Sequence, residues 1–324
     1  MISKIEVSTK AILMGLAVIA GAWVVLQIRD ILLLLFIAFL LMTAIHPLVV
    51  ALQRIRIPRV FGILIVYAVI FGVFGISFAG ALPALVIQVT KLITEFPSFI
   101  ARVLPYWNID AGTIGQQIAP LGENVVKLTV GIFSNAVAIM TVLVFAFYFL
   151  LEREHAEEMV TAMVGMGVAK DVMDVLRKVE RRLGAWVRGE LVLMIFVGIF
   201  SYIGLFLLRV DFALPLAIVA GVLEIVPLIG PTVSAVPAVL VALATSPLLA
   251  VSVVVLYFFI QQFENNVLVP IVMKKSIGLS PLITILSLMV GGKIAGIAGA
   301  VLSIPVMLIV QVLLTQFLTK TDRR

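Results

Sequence analysis

The segment E-I-V-P-L-I-G-P, Glu224–Pro231, sets a carboxylate, two prolines and a glycine inside a stretch, residues 212–263, whose 52 positions carry no other charge. A soluble core does not run this apolar for this long. A simple membrane anchor has no use for a buried acid beside a broken helix. In lipid, a carboxylate and the backbone groups freed by proline are tolerated mainly where they line a cavity or a pathway. The segment therefore predicts a transporter or a channel.

The rest of the chain agrees. Its 324 residues are 63% hydrophobic and 12% charged, against roughly 25% charged in ordinary soluble domains. The apolar runs are helix-length, unlike the ~10-residue alternating strands of a membrane barrel. An all-α, polytopic membrane protein is expected. The net charge of +6 does not argue for nucleic acid, because Lys and Arg collect beside apolar runs, where they set topology. No cysteine is present, and the only histidines are His46 and His155. No metal site and no cofactor are expected. H-E-x-x-H, G-x-S-x-G and phosphate-binding lysine loops are also absent, so no enzyme is predicted.

Hydrophobic runs predict about eight transmembrane segments. Residues 11–28, 31–52 and 60–82 read as the first three, with a tight turn at Arg29–Asp30 and the cationic loop Arg54–Arg59. The first run is 18 residues long and lacks a clear small-x-small cleavage site, so a retained helix is expected rather than a signal peptide. Residues 83–126, with balanced charge, read as an extracytoplasmic insert that is partly amphipathic; 127–151 is a fourth span. Thus 1–151 is an N-terminal four-helix region. Residues 152–188 carry seven acids and seven Lys/Arg and an apolar stripe, Val172, Val175, Leu176, Val179, Leu183 and Trp186, which reads as a cytoplasmic amphipathic helix able to touch anionic lipid. The remainder, 189–324, reads as the transport region.

That region holds two interrupted stretches. Residues 212–246 are too short for two full spans if divided at Pro227–Pro231, since each arm of roughly 16 residues reaches only ~24 Å against a core of ~30 Å. A hairpin of half-helices fits. Residues 278–319 repeat the pattern, with a break expected at Gly291-Gly292-Lys293. Each follows a full span, 189–208 and 248–268, and the charge rule starts them on opposite sides. An inverted repeat would place the site where the broken helices meet.

Within it, Glu224, Pro227, Gly230 and Pro231 mark the first break; Gly291, Gly292 and Lys293 mark the second. Lys293 is the only charge between Lys275 and Lys320, and it either pairs with Glu224, faces a cavity or snorkels to water. A second cluster is I-Q-Q-F-E-N-N-V-L-V-P, Ile260–Pro270. Gln261, Glu264 and Asn265 fall on one helical face, with Gln262, Asn266 and Pro270 beside them. These amides and this acid suit a small polar solute. An intramembrane glutamate suits a cation or a proton.

The motifs F-Y-F-L-L-E-R (Phe147–Arg153), R-G-E-L (Arg188–Leu191), E-I-V-P-L-I-G-P, Q-Q-F-E-N-N-V-L-V-P (Gln261–Pro270) and G-L-S-P (Gly278–Pro281) resemble those of the AI-2E transporter family, in order and in spacing. Glu190 departs from that pattern, which more often shows glutamine after the glycine. The resemblance implies a multi-pass permease of the bacterial cytoplasmic membrane and a homo-oligomer. Some relatives are linked to export of the quorum signal autoinducer-2, others to sodium/proton antiport. The sequence thus reads as a secondary transporter exporting a small polar solute, with autoinducer-2 as the candidate. Cation/proton antiport is the alternative, and a non-transporting scaffold acting through 152–188 is the third reading.

Overall fold

A computed structural model describes residues 9–72, 136–227, 229–273 and 280–321. The expected insert at 83–126, parts of the third and fourth spans, and Lys274/Lys275 lie outside the described residues. Among those described the chain is entirely helical.

The longest rod is α6, Met166–Leu207, preceded by α1 (Thr9–Gln27), α2 (Arg29–Arg54), α3 (Arg59–Gly72), α4 (Ala136–Glu152) and the short α5 (Ala156–Val164). Its 42 residues span ~63 Å, about twice the hydrocarbon core. No break separates its charged first half from its apolar second half. The charged 166–188 portion and the span expected at 189–208 are one continuous element. After α6 come α7 (Ala213–Leu223), α8 (Ile229–Thr245), α9 (Pro247–Phe263), a π-helical turn (Glu264–Leu268), α10 (Val269–Val272) and α11 (Pro281–Thr321). Four stretches are long and apolar enough, by length and composition, to cross a membrane: Arg29–Arg54, Met166–Leu207, Pro247–Val272 and Leu282–Gln316, the last of them interrupted at Ala295–Gly296.

The structure corrects three expectations. First, the chain does not reverse at Arg29–Asp30. Only Ile28 leaves helical geometry, and i to i−4 bonds continue on both sides: Ile28 N–H to Val24 O and Leu32 N–H to Ile28 O, each 3.0 Å. Nothing in that pair of residues forces a turn, since neither is glycine nor proline. Second, the break in the last stretch falls not at Gly291–Lys293 but at Ala295 and Gly296, where Gly296 takes φ +59. Only glycine enters that region without strain, and Lys293 would resist it. Third, Gly291 and Gly292 remain helical; Gly291 has a packing role instead.

At Gly296 the chain doubles back. A Cβ on Gly291 would meet the Gly299 carbonyl oxygen at 2.3 Å and Ser303 Cβ at 2.7 Å. In a continuous helix residues eight apart lie ~12 Å apart. The two arms of α11 therefore pack with backbones nearly touching, as small residues allow in membranes. The first interruption behaves alike. The turn after Leu223 brings α8 back on α7, and a Cβ on Gly230 would lie 1.9 Å from Leu223 O. With 11 residues, α7 reaches only ~16 Å.

Apolar burial forms three clusters. Ala38, Met42, Ile45, Ile63 and Leu150 join α2, α3 and α4. Leu183, Trp186, Leu193, Met273, Ile304 and Leu308 join the middle of α6 to α10 and α11. Val197, Leu205, Leu216, Ala238, Val253 and Tyr257 join the end of α6 to α7, α8 and α9. Glycines let α6 approach its neighbours: a Cβ on Gly184 would sit 2.3 Å from Thr43 O of α2, and one on Gly221 of α7 would sit 3.1 Å from Gly198 Cα. The buried acids Glu190, Glu224 and Glu264 lie at the seam between the second and third clusters.

Candidate functional site

Glu190 sits on α6 between Trp186 and Leu193, one turn from each. Glu224 closes α7 at the chain reversal. Glu264 opens the π-helical turn that follows α9. The three come from distant parts of the sequence, and all are buried, at 4%, 1% and 4% exposure. The side chains of Glu224 and Glu264 lie within hydrogen-bonding reach of each other, and Glu190 lies within electrostatic range of both.

Local sequence explains each placement. Glu224 ends α7 because Pro227 lacks an N–H and the chain turns back; Gly230 lets the turn close against Leu223. Gly230 and Pro231 are buried and Pro227 is half-buried, and Ser234 Oγ donates to Pro231 O at 2.9 Å, tying the start of α8. Pro270 cannot donate to the carbonyl four residues back, Asn266. The helix accommodates this with a wider π-turn. That turn carries one extra residue, which rotates the helix beyond it and leaves Glu264 facing inward. Gly189 lets α6 approach α10 beside the acids: a Cβ there would meet Met273 Sδ at 2.6 Å.

A carboxylate accepts hydrogen bonds and donates none. Two glutamates in hydrogen-bonding contact therefore need a proton or a cation between them. No Lys or Arg pairs with any of the three among the described residues. Both oxygens of Glu190 and Oε2 of Glu224 and of Glu264 have no partner there either, nor does the nearby Trp186 Nε1. Three uncompensated carboxylates sealed from water would be costly, and neutralising them by protonation or by a bound cation is the available relief.

The structure does not bring every expected site residue to the acids. Glu224 and Glu264, each an isolated acid in the sequence, belong to one cluster. The four amides are less buried than the acids. Gln262, Asn265 and Asn266 are exposed, Gln261 is half-buried, and Asn266 Nδ2 donates to Gln262 O at 2.8 Å. The π-turn begins at Glu264, so Gln261, in the last turn of α9, precedes it, whereas Asn265 and Asn266 lie within it. Pro270 is exposed too. Lys293 lies near the tip of the second hairpin, with no ion pair to Glu224, and Gly291 packs between the arms with Gly292 beside it. Sequence reasoning missed Glu190 as a site residue. Its signals were an acid at the start of an apolar run and its departure from the expected glutamine.

Acids buried between interrupted helices of an all-helical, multi-span protein are the build of a membrane transporter. The chain belongs to the AI-2E transporter family, whose profile matches residues 12–319. It is similar to YrrI of Bacillus subtilis, named provisionally as a transport protein, with 26% identity over 88% of this chain and 84% of the relative. YueF of the same organism, named in the same way, is 26% identical over 86% of this chain and 81% of its own. PerM of Escherichia coli K12, named provisionally as a permease, is 26% identical over 91% and 90%. The protein is accordingly a multi-pass transporter of the bacterial inner membrane.

Proposed function

We propose that the protein is a secondary transporter in which a cation and protons compete for the Glu190–Glu224–Glu264 cluster, so that it works as a cation/proton antiporter. The observation that carries this reading is the contact between Glu224 and Glu264, whose Oε2 atoms have no protein partner among the described residues. Such a pair holds either a proton or a monovalent cation, and exchanging one for the other on opposite sides of the membrane is antiport. The two interrupted stretches support the reading: their first arms are shorter than the hydrocarbon core, and as re-entrant hairpins they would open a route to its middle.

Reconstituted protein in liposomes tests it. With a sodium gradient imposed, the wild type should move protons across the membrane, and Glu224→Gln, which keeps the size and removes the titration, should not. Sodium-independent proton movement, or none at all in the wild type, would remove the antiport reading.

Export of a small polar solute such as autoinducer-2 is the second reading. Half-buried Gln261, three residues before Glu264, supports it by offering an amide beside the acids. Solute flux that depends on a pH gradient and is lost in Gln261→Ala would favour it. A scaffold without transport would tolerate both substitutions.

A further inference from the structure

A second polar site lies apart from the acids. Where α2, the end of α4 and the charged half of α6 meet, a cavity of about 340 Å³ is lined by Thr43, His46, Arg153, Arg177, Arg181 and Arg188. Among the described residues, Glu180 is the only acid in its wall. That glutamate is engaged: Arg153 Nε lies 2.7 and 2.8 Å from its two carboxylate oxygens. Arg177 is paired with Glu157, outside the cavity wall.

Arg188 and Arg181 are different. Pro47 has no N–H to give to Thr43 O, and Arg188 Nη1 donates to that free carbonyl at 3.2 Å and to Ala44 O at 3.3 Å. Neutral carbonyls orient its guanidinium without cancelling its charge. Arg181 has no ion-pair partner among the described residues. Two guanidinium charges are therefore uncompensated at one concave site whose other arginines are already fixed by carboxylates. Planar guanidinium groups converging in this way match the oxygens of a phosphate.

We propose that this cavity binds a phosphate-bearing anion, either the headgroup of an anionic phospholipid or a soluble phosphate compound. The transport cluster needs no such site, because Glu190, Glu224 and Glu264 take cations or protons.

The test uses the full chain and two probes. Inorganic phosphate is titrated against detergent-solubilised protein. Phosphatidic acid retention is compared with phosphatidylcholine by native mass spectrometry of protein from mixed nanodiscs. Arg181→Gln, an exposed change, should weaken the preferred probe roughly tenfold. Glu180→Gln removes the wall's negative charge and should tighten binding, which a damaged fold cannot imitate. Arg29→Gln, elsewhere on the surface, should leave binding unchanged. Phosphate binding with this pattern assigns a soluble anion; phosphatidic acid retention with this pattern assigns a lipid headgroup. Binding of neither probe, equal binding in Arg181→Gln, or equal loss in Arg29→Gln would overturn the proposal.

Discussion

At the scale of single residues, the three glutamates differ in what a substitution should do. Glu224 is the most buried and stands at the chain reversal, in contact with Glu264. Glu224→Gln should give assembled protein whose gradient-driven flux falls at least about tenfold, because an amide cannot exchange the proton the pair requires. Normal elution on gel filtration with wild-type flux in proteoliposomes would dismiss Glu224 as the coupling group. Glu190→Gln restores the residue that the family resemblance led one to expect. It should keep flux within about threefold of wild type while shifting its pH profile, since one of three interacting acids is gone. An unaltered profile would place Glu190 outside the coupled set. Glu224 and Glu264 were legible in the sequence as isolated acids; that they touch was not, because each belongs to a different helix. Glu190 was harder still, since one acid at the end of a charged run looks like part of that run.

At the scale of elements, close approach of backbones decides which helices can pair. Gly291→Leu puts a side chain where Gly299 O already sits, and Gly184→Leu does the same at Thr43 O. Overpacking typically costs about 1–3 kcal/mol, so both variants should melt earlier than wild type in the same detergent. Gly167→Ala is the control, with nothing within 4 Å of the added carbon; its melting temperature should be unchanged or slightly higher. Equal melting of all three would mean that the hairpin and the α2–α6 crossing do not rely on glycine. The interruption of each stretch was readable from Pro and Gly. The location of the second was not: a run of glycines permits a break at several places, and tertiary packing selected Gly296 while using Gly291 and Gly299 for contact.

At the scale of the whole molecule, two long rods set what the ends can do. α6 runs unbroken for 42 residues, ~63 Å, so cysteines placed at Val175 and Arg209 should be labelled from opposite sides of the membrane. α1 and α2 continue through Ile28 without reversing. Cysteines at Thr9 and Ile55 should then also react from opposite faces, whereas two spans joined by a tight turn at Arg29–Asp30 would place both on one side. The chain contains no native cysteine, so each label is unambiguous. Labelling of 9 and 55 from the same side would show that α1 folds back in the bilayer and that its charges outweigh helix continuity.

Sequence alone determined that this is a helical membrane protein, where its apolar runs lie, and that Glu224 and Glu264 are expensive to bury. Those conclusions follow from composition and local pattern, because lipid requires every backbone group to be satisfied within its own helix and penalises each charge individually. Only the tertiary structure decided that three acids share one locus, that three of the four amides around Glu264 are exposed, that Lys293 stays outside, and that four arginines surround a cavity. These depend on which helices meet and on one extra residue in a π-turn. Helix meeting is governed by small-residue contacts between segments far apart in the chain, and no local periodicity records them.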